Sequence, residues 1–175
     1  MTTIVLVDDH AILRMGLKSL LDEHFGVQVV AEAANGREAI DKVRELKPDI
    51  VIMDIAMPDM NGVEATLEIK KNYPHTEIIV LTGHGDRHYV NEILKAGATG
   101  YLLKEAMYSD LENAIESVKK HQVFLSPAVA KLVVNEYVKD MDKQESVFNT
   151  LSSRERQVLQ GLAEGKTVKD LAGDL

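Results

Sequence analysis

Four short apolar runs, separated by stretches with helical periodicity, limit what this chain can fold into. The runs cover residues 4–7, 50–53, 78–81 and 101–103. Continuous apolar runs of this length, alternating with amphipathic segments, are typical of buried parallel strands. Each run ends beside polar residues, which are Asp8 and Asp9, Asp54, Thr82 and Lys104 respectively. The sequence therefore predicts an α/β fold with a parallel sheet and polar groups at the strand ends.

The periodicity predicts five strands that alternate with five helices over the first two-thirds of the chain. Apolar side chains recur at spacings of three and four in the helical stretches. The strands are expected over 3–7, 27–32, 49–53, 77–82 and 99–102, and the helices over 11–23, 36–46, 62–72, 87–96 and 107–120. Repeated βα units predict a doubly wound architecture, in which helices cover both faces of a five-stranded parallel sheet.

The pattern changes after about residue 121. A serine and a proline at 126 and 127 predict the start of a linker helix that runs to about 139. The polar stretch 140–149 is typical of a flexible link. Ser152 and Glu155 then have the spacing of a capping box, which begins a short helix. We predict three parts: a first domain over 1–121, a linker with a helix over 122–149, and the start of an all-α domain over 150–175.

The composition excludes several classes of protein. The net charge of −8 argues against non-specific nucleic-acid binding. The absence of cysteine excludes disulfides and thiolate chemistry. No apolar run is long enough to span a bilayer, and Asp8 with Asp9 interrupts any secretory signal. We therefore expect a cytoplasmic protein with no membrane partner.

The polar residues at the strand ends predict a metal and phosphoryl site. Ligand sites of open α/β sheets lie beyond the carboxyl ends of the strands, so these side chains should converge. Carboxylates that converge repel one another unless a cation lies among them, and Mg²⁺ prefers oxygen ligands. We predict that Asp9 and Asp54 bind Mg²⁺ directly, that Asp8 acts through water, and that the backbone carbonyl of Ala56 is a further ligand.

Asp54 is the predicted nucleophile of this site. A carboxylate at a strand end can attack phosphorus and form an acyl phosphate, without a general base. Lys104 would bring a compact positive charge to the phosphoryl oxygens. Thr82 would donate its hydroxyl to another of these oxygens, and Gly83 would leave space for the group.

The stretches 7–10, 53–58, 81–84 and 101–104, together with Asn61 and Gly62, resemble the receiver domain of bacterial two-component response regulators. The resemblance covers about residues 1–121. It implies the flavodoxin-like strand order 2-1-3-4-5 and a phosphoryl group transferred to Asp54 from a sensor histidine kinase. It also implies a switch, in which phosphorylation draws Thr82 inward and Tyr101 rotates from solvent toward the core.

The tail over 151–159 and 163–167 resembles the start of a LuxR-type helix-turn-helix. With a receiver domain before it, this resemblance implies the NarL/FixJ class, whose members are transcription factors. It also implies a homodimer that forms and binds DNA upon phosphorylation. The helix expected to enter the major groove is absent from the sequence, and the basic residues after 150 are balanced by acidic ones. We therefore expect weak or no operator binding by this chain.

Rival interpretations concern the same pocket. A phosphohydrolase with an aspartate nucleophile typically has a second aspartate two residues later as general acid, where this chain has Ala56. A flavin-binding electron carrier needs phosphate-binding donors where Asp8 and Asp9 lie. A receiver that acts only through protein contacts is a further alternative.

Ala56 and His84 each lie two residues past a site residue, which is Asp54 for the first and Thr82 for the second. We expect both to border the path by which water reaches the acyl phosphate. Whether together they lengthen or shorten the lifetime of the acyl phosphate is left open.

Overall fold

The computed structural model describes residues 1–83, 89–135, 137, 138, 152, 155 and 160. These fall in two compact units, residues 1–133 and 134–175. No helix among the described residues is both long and apolar enough to cross a membrane. The first unit carries every described residue of the predicted site.

The first unit is built from alternating strands and helices, as predicted. Its elements in chain order are β1 (Thr2–Val7), α1 (Ala11–His24), β2 (Val27–Ala33), α2 (Gly36–Leu46), β3 (Ile50–Asp54), α3 (Gly62–Asn72), β4 (Glu77–Thr82), α4 (Val90–Lys95), β5 (Gly100–Leu103), a 3₁₀ turn (Lys104–Ala106), α5 (Met107–Lys119) and β6 (Phe124–Leu125). A further helix, α6, covers residues 127–135. It begins at the predicted proline.

The sheet is parallel, and its strand order is β2-β1-β3-β4-β5-β6. The prediction of five strands was wrong by one. Residues 124–125 add a short sixth strand beside β5, with Phe124 opposite Gly100 and Leu125 opposite Tyr101. A strand of two residues is too short to show an alternation of apolar and polar side chains, and so the sequence pattern does not reveal it.

Helices cover both faces of the sheet because successive strand side chains point to opposite sides. In β3, for example, Val51 and Met53 pack on one face, whereas Ile50 and Ile52 pack on the other. The first face is covered by α2, α3 and α4 together with Val129 of α6. The second is covered by α1 and α5. These two cores fix the sheet and thereby the relative positions of its strand ends.

The helix boundaries have local causes. Asn35 and Asn61 precede α2 and α3, and the side chain of each accepts a hydrogen bond of 2.9 Å from a backbone amide three residues later. Such caps satisfy amides that have no partner within the helix. The helix predicted over 87–96 is shorter in the structure. It runs from Val90 to Lys95, and residues 87 and 88 lie outside the described residues.

In the second unit, Ser152 and Glu155 form the predicted capping box. The amide of Ser152 donates to Oε2 of Glu155 at 2.7 Å, and the amide of Glu155 donates to Oγ of Ser152 at 3.3 Å. Residues 155 and 160 are helical. The rest of the predicted tail lies outside the described residues.

Candidate functional site

An acidic cluster lies at the carboxyl end of the central strands. Because Val7 of β1 is paired with Met53 of β3, the residues that follow them, Asp8 and Asp54, are brought side by side. Both are buried, with 0% and 1% of their surface exposed, whereas Asp9 is partly open to solvent. One ligand atom from each of Asp8, Asp9, His10 and Asp54 lies within 4.8 Å of the others. The three predicted carboxylates therefore do converge.

Lys104 joins this cluster from β5. Leu103 is paired with Thr82 of β4, so the next residue along the chain lies at the same edge of the sheet. Its Nζ lies 2.8 Å from Oδ2 of Asp8 and 2.8 Å from Oδ2 of Asp54. One ammonium thus bridges two buried carboxylates, and these three groups together carry a net negative charge.

The pKa values of the paired groups reflect this imbalance. Burial raises the pKa of Asp54, and repulsion from Asp8 adds to the rise, although the hydrogen bond and charge of Lys104 oppose it. Burial alone would lower the pKa of Lys104, but its hydrogen bonds and ion pairs with Asp54 and Asp8 raise it. Both pKa shifts have the same origin, because one ammonium is paired with two carboxylates in a poorly solvated site.

The residues of the cluster fit a hard divalent cation. Oδ1 of Asp54 is buried, and no described side chain donates a hydrogen bond to it. Mg²⁺ is typically bound by one or two carboxylates together with water and phosphate oxygens. Asp9 is accessible to solvent, and Oδ1 of Asp54 has no side-chain partner among the described residues. A cation bound between these two carboxylates would offset the remaining negative charge.

Both carboxylate oxygens of Asp8 are engaged by protein groups. Oδ2 faces Lys104, and Oδ1 accepts a hydrogen bond of 2.8 Å from the amide of His10. The guanidinium of Arg14 also donates to the backbone carbonyl of Asp8 at 2.5 Å. Asp8 is therefore held in one orientation by the first turn of α1. Sequence reasoning missed Arg14, and the only available signal was its place four residues after His10 in that turn.

The remaining predicted residues lie around this edge. Thr82 is buried at the end of β4, and its hydroxyl donates to the carbonyl of Gly83 at 3.2 Å. Ala56 is exposed just after β3. Tyr101 is fully buried in the core under α4, and so its ring already points inward in this structure. The switch between two positions of this ring stays a prediction. His84 lies outside the described residues.

The loop after β3 is closed by a tight backbone contact at Gly62. Its amide donates to the carbonyl of Ile55 at 2.9 Å. A Cβ atom at this position would overlap the carbonyl oxygen of Asp54 and crowd the Cα of Ile55. Only glycine lets the start of α3 approach so closely. Gly62, one of the residues that carry the resemblance, thus sets the distance between α3 and the backbone of Asp54.

Comparisons with known proteins agree with this geometry. Residues 4–116 match the model of the response regulator receiver domain, and residues 149–175 match the model of bacterial regulatory proteins of the luxR family. The oxygen regulatory protein NreC of Staphylococcus haemolyticus is 38% identical over 177 residues, covering 98% of this chain and 82% of that protein.

Solved structures show the same relationship. A LuxR-family two-component response regulator from Aurantimonas is 37% identical with a TM-score of 0.74, and the match covers 79% of this chain and 99% of that one. The RcsB response regulator of Salmonella typhimurium, solved in a study of its DNA interaction, is 26% identical with a TM-score of 0.72, and the match covers 99% and 83%. On its receiver fold, its acidic pocket and these matches, the chain belongs to the LuxR family of two-component response regulators.

Proposed function

We propose that Asp54 is the phosphoryl acceptor of this response regulator and that a sensor histidine kinase is the donor. The observation that supports this most directly is the buried Asp54 carboxylate, with Oδ2 held 2.8 Å from Lys104 and Oδ1 without a side-chain partner. In the transfer, an Asp54 oxygen bonds to phosphorus while the phosphorus–nitrogen bond of the donor phosphohistidine breaks. Lys104 then neutralises charge on the phosphoryl oxygens, and Thr82 donates its hydroxyl to them.

We assign the metal ligands by exposure and by existing contacts. Asp9 and Asp54 would bind Mg²⁺ directly, with the carbonyl of Ala56 as a further ligand, and Asp8 would act through water because protein groups already occupy both of its oxygens. When bound, the ion offsets the repulsion between the carboxylates and the incoming phosphoryl group. Asp8 keeps Lys104 in place during the exchange.

The acyl phosphate should persist rather than turn over rapidly. In phosphohydrolases with an aspartate nucleophile, the general acid is a second aspartate two residues after the nucleophile. In this chain that position is the exposed Ala56, whose side chain has no proton to transfer. Gly83 leaves room for the phosphoryl group, and the effect of His84 on attacking water is a matter for mutagenesis. Persistence suits a signal that other proteins must detect before it decays.

The family to which the chain belongs supports a proposal about its output. We propose that residues 1–121 form the receiver, that 122–149 form a linker with a helix, and that 150–175 belong to the LuxR-type helix-turn-helix. Phosphorylation would act through Thr82 and Tyr101 to favour a homodimer and to control DNA binding in the cytoplasm. The family matches and the DNA interaction of the RcsB relative support this proposal.

Mass spectrometry tests the acceptor directly. Incubation with acetyl phosphate and Mg²⁺ should add one phosphoryl group to the intact protein, and peptide mapping should place it on Asp54. Addition of EDTA before the donor should prevent the modification, because the carboxylates would then repel the phosphate. Modification of another residue, or full modification in EDTA, would contradict the proposal.

An apolar surface next to the pocket predicts where the kinase binds. A cavity of about 530 Å³ is lined by His10, Ile12, Leu13, Gly16, Lys104 and Tyr108. The Ile12 and Tyr108 side chains are 86% and 63% exposed. We expect Ile12→Glu to reduce the rate of transfer from a phosphorylated histidine kinase by about tenfold or more, because an apolar contact is lost at the interface.

The control separates docking from chemistry. Ile12→Glu should leave modification by acetyl phosphate unchanged, since the small donor needs no docking surface. Leu67 is also exposed and lies on α3. Leu67→Glu should change neither the rate of transfer from the kinase nor the rate of modification by acetyl phosphate. Equal losses with both donors would instead indicate damage to the pocket itself.

A further inference from the structure

His10 brings an imidazole nitrogen into the acidic cluster. Its Nδ1 lies 2.7 Å from Oδ1 of Asp9 and 3.0 Å from Oδ1 of Asp8. We propose that His10 is an additional ligand of the metal site, and that the pocket consequently also binds transition-metal cations such as Zn²⁺, in competition with Mg²⁺. The inference rests on the metal site of the proposed function and adds a determinant of its selectivity.

The distances suit neighbouring ligands of one ion. Metal–ligand bonds of about 2.1 Å at right angles place adjacent donor atoms about 3.0 Å apart. The two distances from Nδ1 are close to this value. A ring nitrogen carries one hydrogen or one lone pair, and so one N–H cannot serve two carboxylates equally well. A cation bound to Nδ1 of His10 and Oδ1 of Asp9 would remove this competition, while Oδ1 of Asp8 keeps the amide of His10 as its partner.

The backbone fixes where the ring is attached. His10 is the residue before α1, with φ −86° and ψ 99°, and its amide donates to Oδ1 of Asp8 at 2.8 Å. Its carbonyl accepts the first bond of the helix from the amide of Arg14 at 3.0 Å. The His10 side chain is 67% exposed, so an ion from solvent can reach the ring. Hydrogen bonds thus fix the backbone of His10, while its imidazole remains accessible to solvent.

A second observation independently points to a cation here. Asp54 is 99% buried, yet its Oδ1 has no side-chain partner, and its carboxylate belongs to the same group of ligand atoms within 4.8 Å. The backbone of Ile55 also hydrogen-bonds to this carboxylate. A buried carboxylate oxygen that no side chain satisfies is nevertheless unfavourable unless an ion or water completes its partners. Asp54 therefore provides the inner ligand, and Asp9 and His10 the outer ones.

The chemistry of the ligands predicts which ions respond to His10. Carboxylate, carbonyl and water ligands suit Mg²⁺, whereas imidazole suits Zn²⁺, Ni²⁺ and Cu²⁺. Loss of the imidazole should therefore weaken Zn²⁺ binding while Mg²⁺ binding hardly changes. This difference distinguishes a ligand from a residue that merely shapes the pocket, because a structural role would alter both affinities.

The experiment measures Zn²⁺ and Mg²⁺ affinities of the whole chain. Competition with a chromophoric chelator gives the Zn²⁺ affinity, and calorimetry gives that of Mg²⁺. We expect His10→Gln to lower Zn²⁺ affinity by at least about tenfold and to change Mg²⁺ affinity by less than about twofold. His24→Gln, which removes an exposed histidine at the end of α1, should change neither. Unchanged Zn²⁺ binding in His10→Gln would overturn the proposal.

A competing site is tested in the same series. His84 and His88 stand four residues apart in the sequence, a spacing that can bind a transition metal on a helix. If the double variant His84→Gln and His88→Gln loses Zn²⁺ while His10→Gln keeps it, the ion binds there and the inference is wrong. Visible absorption of Co²⁺ as a substitute for Zn²⁺ gives a second readout, which should change in His10→Gln.

The two proposals can fail separately. If His10→Gln binds Zn²⁺ normally but Asp54 is still modified by acetyl phosphate with Mg²⁺, only the role of His10 is refuted. If Asp54 is never modified, the proposed function fails whatever the Zn²⁺ result. With both correct, Zn²⁺ should slow modification of the wild-type protein by acetyl phosphate and Mg²⁺, and should do so less in His10→Gln.

Discussion

Replacement of Asp54 with asparagine should abolish modification by acetyl phosphate and, without metal at pH 7, raise the free energy of unfolding by about 1–3 kcal/mol. The nucleophilic oxygen disappears with the carboxylate, which explains the first effect. The second arises because Asp54 is buried beside Asp8, so its negative charge opposes folding. Asparagine keeps the shape and removes that charge, and Lys104 keeps its pairing with Asp8.

The pH dependence has a definite sign. Folding raises the pKa of Asp54 above 3.8, and so the folded state binds the proton more tightly than the unfolded chain does. The protonated carboxyl favours folding below the unfolded pKa, and this contribution is lost as pH rises through the folded pKa. The advantage of Asp54→Asn should therefore be largest at neutral pH and shrink toward about pH 4.

Chemical denaturation with and without Mg²⁺ measures these differences. Mg²⁺ should stabilise the wild type, since it binds the folded pocket, and should stabilise Asp54→Asn much less. Asp41→Asn serves as the control, because that carboxylate is exposed and pairs with the surface residue Arg44 at 2.6 Å. It should change the free energy of unfolding by less than about 0.5 kcal/mol. Destabilisation of Asp54→Asn at pH 7 without metal would contradict the argument.

Gly62→Ala should lower the free energy of unfolding by about 3 kcal/mol or more, although it adds a single methyl group. The new Cβ would overlap the carbonyl oxygen of Asp54, which is backbone and cannot rotate away. The start of α3 would have to move, and with it the loop that follows the nucleophile. We therefore also expect slower modification of Asp54 in any protein that still folds.

Gly16→Ala is the matched control. This glycine lies within α1, and nothing would come within 4 Å of an added Cβ. Alanine is preferred to glycine inside a helix, so the variant should gain about 0.5–1 kcal/mol. Thermal or denaturant unfolding measures the change in the free energy of unfolding for both variants. We expect this change to be negative for Gly62→Ala and positive for Gly16→Ala if the contact at Gly62 is as tight as described. Equal stability of Gly62→Ala and wild type would show that α3 can shift freely.

The sequence predicted the sheet well because its strands are short, continuous apolar runs. Residues 4–7 and 50–53 lie within β1 and β3, and the order of the five predicted strands agrees with the resemblance. Convergence of Asp8, Asp9, Asp54 and Lys104 followed from topology alone, since parallel strands end at the same edge. The sequence did not predict β6, because a strand of two residues is too short to give a periodic pattern.

Contacts between distant residues could not be predicted in this way. Glu77 opens β4 and is nevertheless buried, because Thr99 donates to it at 2.8 Å and His121 contacts it at 2.8 Å. Burial alone would raise the pKa of Glu77, but the hydrogen bonds of His121 and Thr99 and the charge of Lys70 lower it. His121 is 44 residues away in the sequence. Only the folded chain shows why a carboxylate is tolerated at this point.

The residue that follows the sixth strand is hydrogen-bonded to Tyr101, the residue for which a switch is predicted. The amide of Ser126 donates to the carbonyl of Tyr101 at 3.0 Å, directly before α6 begins. In α6, Val129 is fully buried within the same apolar core as that tyrosine ring. If the ring rotated as the resemblance implies, the packing of the core that contains Val129 would change with it. Such a rotation would therefore alter the contacts that hold the first turn of α6.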